Sequence, residues 1–369
     1  MGVELGRRLR LDTAWRDRLD AIAAARKLPR SGDIGRLAPA LREVSDFYNA
    51  GDFRFAWTAD RMAARLHFFL PRDQAKVAGA LRDIALPPQW RGEGPPLELL
   101  DVGAGLGASS LGAVLALRAA GVSREVRLTL REPDAAALSV AFEVLAALPN
   151  VHIRIDDGTA LHPDLVLFAL VLVEVAGGRL EVAGDEACAS MVAAAARGLA
   201  PGGRVVVVEP ALLTSTRRLM RVRDRLAAGG AHIVAPCPHS AGCAMLAHPR
   251  DWCHDDLDVD LPSWLHPLAR AAGLRWQGLT FARLVLAAEA VTRPPLRVVA
   301  PPRDSRGRKE RQLCGEFADG SRLRWVDRLD KHASPANAPF AELRRGDALT
   351  LDPPAARVSP ETRVIPSES

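Results

Sequence analysis

The chain has 369 residues, of which 48% are hydrophobic and 25% charged, so it is long enough to bury a full core and to form two domains or one elaborated domain. No apolar run reaches the roughly 20 residues of a membrane span, and no apolar segment follows the N-terminal charges, which argues against a membrane or secreted protein. The net charge of +5 and the pI of about 9.2 fit a polyanionic partner but also many ordinary enzymes. We expect a cytoplasmic monomer with no membrane partner.

The first 90 residues are predicted to be helical, because apolar residues such as Leu19, Ile22 and Ala23 recur at helical spacing between charged ones. A stretch rich in Pro and Gly ends this helical N-terminal region. Strand and helix patterns then alternate, which predicts an α/β fold with a parallel sheet covered by helices on both faces. The predicted elements are strand 97–102, helix 107–120, strand 125–131, helix 134–147, strand 151–155, strand 164–172, helix 186–199 and strand 203–208.

The C-terminal part of the chain has a different composition. We predict, in order, a basic helix over 212–228, a segment rich in Cys, His and Pro over 235–255, a helix over 262–272 and strands over 274–280 and 283–288. Short strand patterns with turn signals follow a Pro-rich break, which predicts a small β module. From Arg293 to Lys331 there are 11 Lys or Arg against 6 Asp or Glu, an excess as large as that of the whole chain.

These patterns predict four regions. They are a helical region over 1–90, an α/β domain over 91–292 with the Cys-rich insertion 235–255, a basic β module over 293–352 that supplies Cys314, and a disordered tail over 353–369.

A glycine-rich loop follows the first predicted strand, where Gly103, Gly105 and Gly107 let the backbone turn sharply and approach a ligand. A tight turn without a ligand is the alternative. Asp101 precedes the glycines, and their spacing fits a class I methyltransferase better than the GxGxxG of dinucleotide-binding enzymes. Glu132 ends the next strand, where an acid suits ribose hydroxyls. We therefore predict that these five residues bind S-adenosylmethionine (SAM), with NAD as the weaker alternative.

Other acidic residues follow the third and fourth predicted strands. Asp156 or Asp157 is expected near the adenine, with Asp157 as the candidate cofactor-binding residue, and an acid that only stabilises a turn is the alternative. Glu174 is a candidate general base or a polar residue at the rim of the cofactor pocket. The run 170–175 lacks the Asn/Asp-Pro-Pro-aromatic motif with which amino-methylating enzymes grip a flipped base. The catalytic residue therefore stays undetermined, with Glu174 as a weak candidate.

Two short segments, 236–243 and 251–254, together hold three thiols and two imidazoles within 18 residues, at Cys237, His239, Cys243, Cys253 and His254. Cys314 lies beyond a long spacer and is a candidate fourth thiolate. Four thiolates would hold an iron–sulfur cluster or a tetrahedral zinc, and the wide C-x5-C-x9-C spacing favours the cluster. The two histidines are alternative zinc ligands or exposed loop residues.

Two further observations concern single cysteines. Cys188 lies on a predicted helix of small apolar residues and is expected in the core. The pair Pro236-Cys237 is similar to the nucleophile motif of cytosine C5 methyltransferases. Because it follows the fifth strand and its helix rather than the fourth strand, catalysis by this cysteine is the weaker alternative.

Basic residues suggest where RNA would bind. Arg217, Arg221 and Arg225 fall at i, i+4 and i+8 on one face of the basic helix, where they would track phosphates or form a solvated face. Arg308 and Lys309 belong to a basic run that is a second candidate phosphate contact or a flexible linker.

The glycine loop LDVGAGLGASS, followed by APCPH, a further Cys and DWCH, resembles the methyltransferase-like small-ribosomal-subunit assembly proteins of bacteria and mitochondria, over roughly residues 40–350. The resemblance implies a class I SAM-dependent methyltransferase (Rossmann-like) fold and association with the small ribosomal subunit and its rRNA. It also implies a 4Fe–4S cluster with four ligands, which would be Cys237, Cys243, Cys253 and Cys314. Ala244 stands where the family often has Pro, which loses a rigid turn but no ligand.

The function expected from these features is a SAM-binding, methyltransferase-like protein that acts on small-subunit rRNA during ribosome assembly. Two alternatives stay open: a non-catalytic ribosome-assembly binding protein and a SAM-dependent methyltransferase of small molecules.

Overall fold

The structure is a computed structural model that describes residues 11–50, 56–82, 84, 86–177, 181–257, 259–260, 262–274 and 278–367. The chain forms two compact units. The first consists of the described residues within Met1–Val208 and Leu257–Leu279, and the second of those within Glu209–Asp256 and Thr280–Ser369. The Cys-rich segment, which the sequence assigned to the 91–292 domain, therefore belongs to the same unit as the C-terminal β module.

The N-terminal part of the first unit is helical, as the apolar spacing predicts. Its helices are α1 (Thr13–Ala25), α2 (Ile34–Ala50), α3 (Ala59–Ala64), a π-helical segment (Arg65–Phe69) and α4 (Leu70–Arg82). Side chains cap two of these helices, because Asp12 and Thr58 accept hydrogen bonds from the backbone N–H groups of Trp15 and Arg61. Helix α2 packs with the π-helical segment and a later helix around Leu41 and buries apolar side chains from all three.

The rest of the first unit is an α/β sheet. Its strands are β1 (Leu97–Val102), β2 (Val126–Arg131), β3 (Val151–Ile155), β4 (Leu165–Ala169) and β5 (Arg204–Pro210), and its helices are α5 (Ala108–Ala119), α6 (Ala135–Leu145), α7 (Leu172–Ala176) and α8 (Glu181–Arg197). All strand pairs are parallel, in the order β3-β2-β1-β4-β5. Strands β1, β4 and β5 are almost wholly buried, as expected for a sheet covered on both faces. The predicted doubly wound α/β fold is confirmed.

Strand β4 is shorter than predicted. It ends at Ala169 instead of residue 172, because Leu170 has a left-handed backbone with φ +64° and the chain then enters α7. A bulky residue in this conformation is uncommon and typically marks a turn or a functional site. The apolar run 170–173 therefore lies at the carboxyl edge of the sheet instead of continuing the strand.

The second unit begins with a helix and the Cys-rich segment. Its first elements are α9 (Leu213–Ala228), β6 (His232–Ala235), a 3₁₀ turn (Ala244–Ala247) and β7 (Asp255–Leu257, which ends in the first unit). Helix α10 (Leu265–Ala271), which packs with α2, belongs to the first unit. Strand β8 (Leu279–Ala287) pairs antiparallel with β6.

One strand stands where the sequence predicted two, over 274–280 and 283–288. Among the described residues β8 runs without a break through Arg283, and residues 275–277 lie outside the described part. Arg283 is buried, and its Nε lies 2.9 Å from the carboxylate of Asp255. Because an acid neutralises the buried charge, this arginine does not end the strand.

The C-terminal part of the second unit is a β module. Its strands are β9 (Leu296–Val298), β10 (Arg303–Ser305), β11 (Arg308–Gly315), β12 (Leu323–Leu329), β13 (Ala348–Asp352), β14 (Arg357–Val358) and β15 (Arg363–Pro366), with 3₁₀ turns at Asp330–His332 and Pro335–Ala341. They form one sheet in the order β14-β12-β11-β9-β13-β15, with β10 on β11. The module's own core includes Leu313, Val326 and Phe340. The predicted basic β module is therefore present.

The predicted disordered tail is instead part of this sheet as far as the structure describes it. Strand β14 pairs with β12, and β15 pairs with β13. The composition of the tail is polar, but Val358 and Val364 are buried in the core of the module and hold these strands in place. Among the described helices, none is long and apolar enough to cross a membrane.

Candidate cofactor and metal sites

The glycine loop makes a sharp turn directly after β1. Gly103, Gly105 and Gly107 have φ of +73°, +52° and +88°, a conformation that other residues adopt only with strain. A Cβ atom on Gly103 would lie 2.3 Å from the side chain of Val171. The loop therefore requires glycine both for its backbone angles and for its close approach to the residue after β4.

Asp101 lies buried beneath this loop. Its Oδ2 accepts hydrogen bonds from the hydroxyls of Ser109 and Ser110, each at 2.5 Å, while Oδ1 has no partner among the described residues. Burial raises the pKa of Asp101 to about 6, although the two serine hydrogen bonds oppose the shift. The carboxylate thus attaches the start of α5 to the end of β1 and leaves one oxygen able to accept a further hydrogen bond.

Glu132 follows β2 and binds the loop directly. Its Oε2 accepts a hydrogen bond from the Gly105 N–H at 2.8 Å, and its Oε1 accepts one from the Asp134 N–H at 3.0 Å. A carboxylate has about four acceptor sites, so both oxygens keep the capacity to accept from ribose hydroxyls. The structure therefore brings the predicted ribose acid to the glycine loop.

The two acids after β3 have different partners. Asp156 pairs with Arg131 and accepts from the Gly158 N–H. Asp157 accepts from both the N–H and the hydroxyl of Thr159, at 2.9 and 2.6 Å, and these hydrogen bonds lower its pKa. Asp157 therefore forms a local turn, and its position near the adenine stays a prediction.

Glu174, in the first turn of α7, lies near Arg65, which in turn packs on Trp57, and neither of these two residues was predicted from the sequence. Burial raises the pKa of Glu174 and so does the nearby Glu132, whereas Arg65 lowers it. The Arg65 guanidinium lies 4.2 Å from the centre of the Trp57 ring, and one of its nitrogens is 3.2 Å from where a Cβ of Gly105 would be. The N-terminal helices thus contribute a cation and an aromatic ring to the edge of the glycine loop.

Four cysteines line one cavity of about 40 Å³ in the second unit. They come from the Cys-rich segment and from β11, all four are free thiols, and His239 lines the same cavity; they are Cys237, Cys243, Cys253 and Cys314. Cys188 is buried in α8 of the first unit, as predicted for a core residue. The tertiary structure therefore brings together thiols that are up to 77 residues apart in the sequence.

Burial and mutual repulsion raise the pKa of Cys243, Cys253 and Cys314. Burial, together with repulsion from Cys237 and Cys253, raises the pKa of Cys243 to about 12. The pKa of Cys314 is raised in the same way. Loading of a metal onto this set would therefore release protons, since thiolates are the ligands.

Arginine side chains border the cavity. Arg297 donates a hydrogen bond to the Cys253 Sγ at 3.3 Å, and its second terminal nitrogen pairs with Asp255. Asp255 also forms the ion pair with Arg283. Nothing in the sequence links these residues, because Arg297 lies more than 40 positions from Cys253. They place positive charge beside a site that would become anionic on loading.

Helix α9 holds the Cys-rich segment through its arginines. Arg217 donates hydrogen bonds to the carbonyl groups of four residues, at 3.4, 3.3, 2.7 and 2.8 Å; they are Met245, Leu246, His248 and Asp251. Arg223 is buried and donates to the carbonyl groups of His239 and Ala241. Arg217 therefore holds the Cys-rich segment, and its predicted contact with phosphates stays a prediction. Arg221 and Arg225 lie on the same helix and are partly exposed.

Arg308 and Lys309, the second predicted phosphate contact, form ion pairs with acidic side chains. Arg308 lies 3.1 Å from Glu310 and 3.2 Å from Asp327, and Lys309 lies 3.6 Å from Asp304. Both basic residues belong to β11 and not to a flexible linker.

The two histidines of the Cys-rich segment differ. His239 is buried, and its Nε2 lies 3.5 Å from the Cys314 Sγ. His254 does not line the cavity and stacks on Trp252, with ring centres 5.6 Å apart. In the part of the chain that the structure describes, no three Cys, His, Asp or Glu side chains converge closely enough to hold a single metal ion.

We expect Asp101→Asn to change how stability depends on pH. A buried acid whose pKa is raised to about 6 stabilises the fold when protonated, so this contribution is lost as the pH rises from about 4 through 6. The full loss is on the order of 3 kcal/mol, since each pKa unit is worth about 1.4 kcal/mol. Urea denaturation at several pH values should show the variant gaining stability relative to wild type up to about pH 6.5. A difference that stays constant with pH would contradict the prediction.

We expect Arg217→Met to loosen the Cys-rich segment. Loss of hydrogen bonds from a charged donor should speed amide hydrogen exchange in residues 245–251 by about tenfold or more, because the carbonyl groups lose their anchor. Arg225→Met on the same helix is the matched control, since no side-chain hydrogen bond of Arg225 occurs among the described residues. Equal exchange in both variants would show that Arg217 does not hold this segment.

Comparisons with known proteins give one family and several structural relatives. No curated protein matches the chain in sequence. A putative class I SAM-dependent methyltransferase from Listeria monocytogenes is 13% identical, with a TM-score of 0.36, over 79% of this chain and 90% of that chain. A Pyrococcus furiosus methyltransferase is 16% identical, with a TM-score of 0.33, over 55% and 78%. Aeropyrum pernix fibrillarin, solved with natively bound SAM, is 14% identical, with a TM-score of 0.31, over 58% and 76%.

The family comparison covers more than two thirds of the chain. Residues 61–327 match the family described as "Mitochondrial small ribosomal subunit Rsm22". This range includes both the glycine loop and the four cysteines of the cavity. The chain belongs to the Rsm22 family.

Proposed function

We propose that the chain is a SAM-binding, methyltransferase-like protein that acts on the small ribosomal subunit and its rRNA during assembly, with a 4Fe–4S cluster on Cys237, Cys243, Cys253 and Cys314. The observation that carries the proposal is the convergence of these four free thiols on one cavity in a chain of the Rsm22 family. Each part of the proposal has its own support.

SAM binding is supported by the loop after β1. Three glycines with positive φ bring the backbone within reach of a ligand, and Glu132 offers carboxylate oxygens beside Gly105. Asp101 keeps an oxygen without a hydrogen-bond partner among the described residues. This arrangement lies at the carboxyl edge of a parallel sheet, where ligands of α/β proteins bind.

The cavity in the second unit fits a cluster better than a single zinc ion. Tetrahedral zinc at about 2.3 Å from each sulfur requires its ligands to be nearly in contact, and no three candidate side chains in the described ranges approach so closely. In a 4Fe–4S cluster each cysteine binds a different iron, so the four sulfurs stand farther apart. When bound, the cluster would cross-link the Cys-rich segment to β11 and supply a site for electron transfer. Arg297 and Arg223 would offset its negative charge.

Association with the small subunit is supported by the family description and by the charge of the chain. The family is described as mitochondrial, and the cytoplasm stays the prediction from the sequence. All three arginines of the predicted basic stripe on α9 are partly exposed, and Arg217 also donates hydrogen bonds to carbonyl groups of the Cys-rich segment. The contact with rRNA is expected to involve Arg225 first, because its side chain forms no hydrogen bond or ion pair among the described residues, and then Arg221, Arg217, Arg308 and Lys309.

A non-catalytic binding protein is the second candidate, and one observation favours it. The turn after β4 presents Leu170, Val171 and Val173, and contains no side chain that would grip a base by hydrogen bonds. Glu174 is the titratable group at this edge, and its raised pKa suits a general base. Methyl transfer itself decides between the two candidates.

The metal content tests the cluster. Anaerobically purified wild type should contain about four irons with acid-labile sulfide and a broad visible absorbance, because four cysteines can each bind one iron. Cys253→Ser should lose most of the iron and the colour. Cys188→Ser is the matched control, because this thiol is buried in α8 outside the cavity, and it should keep both. One zinc per chain with no colour would rule out the cluster, and metal-free protein would rule out the four-cysteine site.

Binding and methyl transfer test the ribosomal role. The wild type should co-sediment with small subunits, with an affinity that falls steeply as salt rises, because phosphate contacts release counterions. Incubation with methyl-labelled SAM should label small-subunit rRNA, and Glu174→Gln should slow the labelling by about 100-fold or more if Glu174 is the base. Co-sedimentation without labelling would support the non-catalytic candidate. Absence of both would contradict the ribosomal role and favour a small-molecule substrate.

A further inference from the structure

Arg65 is a charged side chain at the glycine loop that does not join elements of the fold through an ion pair or hydrogen bond among the described residues. It begins the π-helical segment between α3 and α4, and its carbonyl group accepts a hydrogen bond from the N–H of Leu70, five residues later, instead of from the residue four positions later. Short π-helical segments within α-helices occur frequently at functional sites. Here the segment directs the arginine towards Gly105, where one guanidinium nitrogen lies 3.2 Å from the position of a Cβ.

The Arg65 guanidinium forms no hydrogen bond or ion pair with an acid among the described residues, which distinguishes it from its neighbours, although Glu174 is near enough to be affected by its charge. Arg61, one helical turn earlier, is 2.8 Å from Glu43, and Arg72 is 2.8 Å from Asp73. Arg65 instead packs over the face of Trp57, at 4.2 Å from the ring centre. The aromatic ring orients the guanidinium without using its five N–H donors, so these remain available to a ligand.

The charges around the loop are arranged as a pair of opposite signs. Glu132 supplies the negative charge, and its carboxylate accepts hydrogen bonds from the backbone N–H groups of Gly105 and Asp134. Glu174 lies near both Glu132 and Arg65, because each of them affects its charge state. A ligand that carries both an anionic and a cationic group is complementary to this arrangement, and the methionyl part of SAM carries an α-carboxylate, an α-ammonium and a sulfonium.

We propose that Arg65 binds the α-carboxylate of SAM. The assignment rests on the proposed SAM site and adds the residue that recognises the amino-acid end of the cofactor. A guanidinium binds a carboxylate through two parallel N–H···O hydrogen bonds, which fixes the orientation of the ligand as well as its affinity. Recognition of the methionyl end therefore depends on the helical N-terminal region as well as on the sheet.

Binding measurements with two ligands test the assignment. SAM has the carboxylate, whereas 5′-methylthioadenosine has the same adenosine but a neutral thioether in place of the sulfonium and no amino-acid group. Isothermal titration of wild type, Arg65→Met and Arg65→Lys should show that methionine weakens SAM binding roughly 10- to 100-fold, since a hydrogen-bonded charge is lost. Affinity for 5′-methylthioadenosine should stay within about twofold, and lysine should restore part of the affinity for SAM.

Arg61→Met is the matched control, because it removes a neighbouring arginine that is already paired with Glu43. It should bind both ligands as wild type does. Unchanged SAM affinity in Arg65→Met would overturn the assignment while leaving the proposed SAM site intact, and weaker binding of rRNA by that variant would then identify a phosphate as the anion. Equal weakening of both ligands would mean that Arg65 shapes the pocket and does not recognise the carboxylate. Wild type that binds neither ligand would instead contradict the proposed SAM site.

Discussion

The cavity of the second unit depends on hydrogen bonds that arginine side chains donate to backbone carbonyl groups of the Cys-rich segment. The Cys-rich segment has little regular secondary structure, and polar backbone groups that leave water need hydrogen-bond partners. Arg217 and Arg223 of α9 supply these donors along the segment, from the carbonyl of His239 to that of Asp251. Because the same helix fixes both ends of the segment, the three thiols within it face one cavity. The arginines of α9 thus help to hold three of the four thiols at the candidate metal site.

The first unit has a comparable constraint at the carboxyl edge of its sheet. Asp101 is buried with one of its oxygens bound to two serine hydroxyls, which fixes the end of β1 relative to α5. The glycine loop lies between them and approaches Val171 so closely that no side chain fits at Gly103. A buried carboxylate with a raised pKa costs stability at neutral pH. Such a cost is typical of a residue kept for a site and not for the fold.

The excess of arginine in this chain has several uses. Net charge and the stripe on α9 favoured a surface that binds phosphates, yet Arg217 and Arg223 bind carbonyl groups, and Arg297 pairs with Asp255 and a cysteine thiol. A guanidinium presents several fixed donors, so it serves equally well inside a protein and on its surface. Arg65 belongs to neither group, because it lies beside the glycine loop and forms no ion pair or hydrogen bond with an acid among the described residues, and for that reason we assign it a ligand.

The sequence by itself determined the α/β alternation, the position of the glycine loop and the set of cysteines, because periodicity and the special backbone of glycine are local properties. It also identified Glu132, since an acid after the second strand must reach the loop after the first. Only the tertiary structure decided that four thiols share a cavity, that Arg217 binds backbone carbonyl groups, and that the polar tail completes a sheet. It also decided the place of Arg65. Each of these depends on contacts between residues far apart in the chain, which no local pattern encodes.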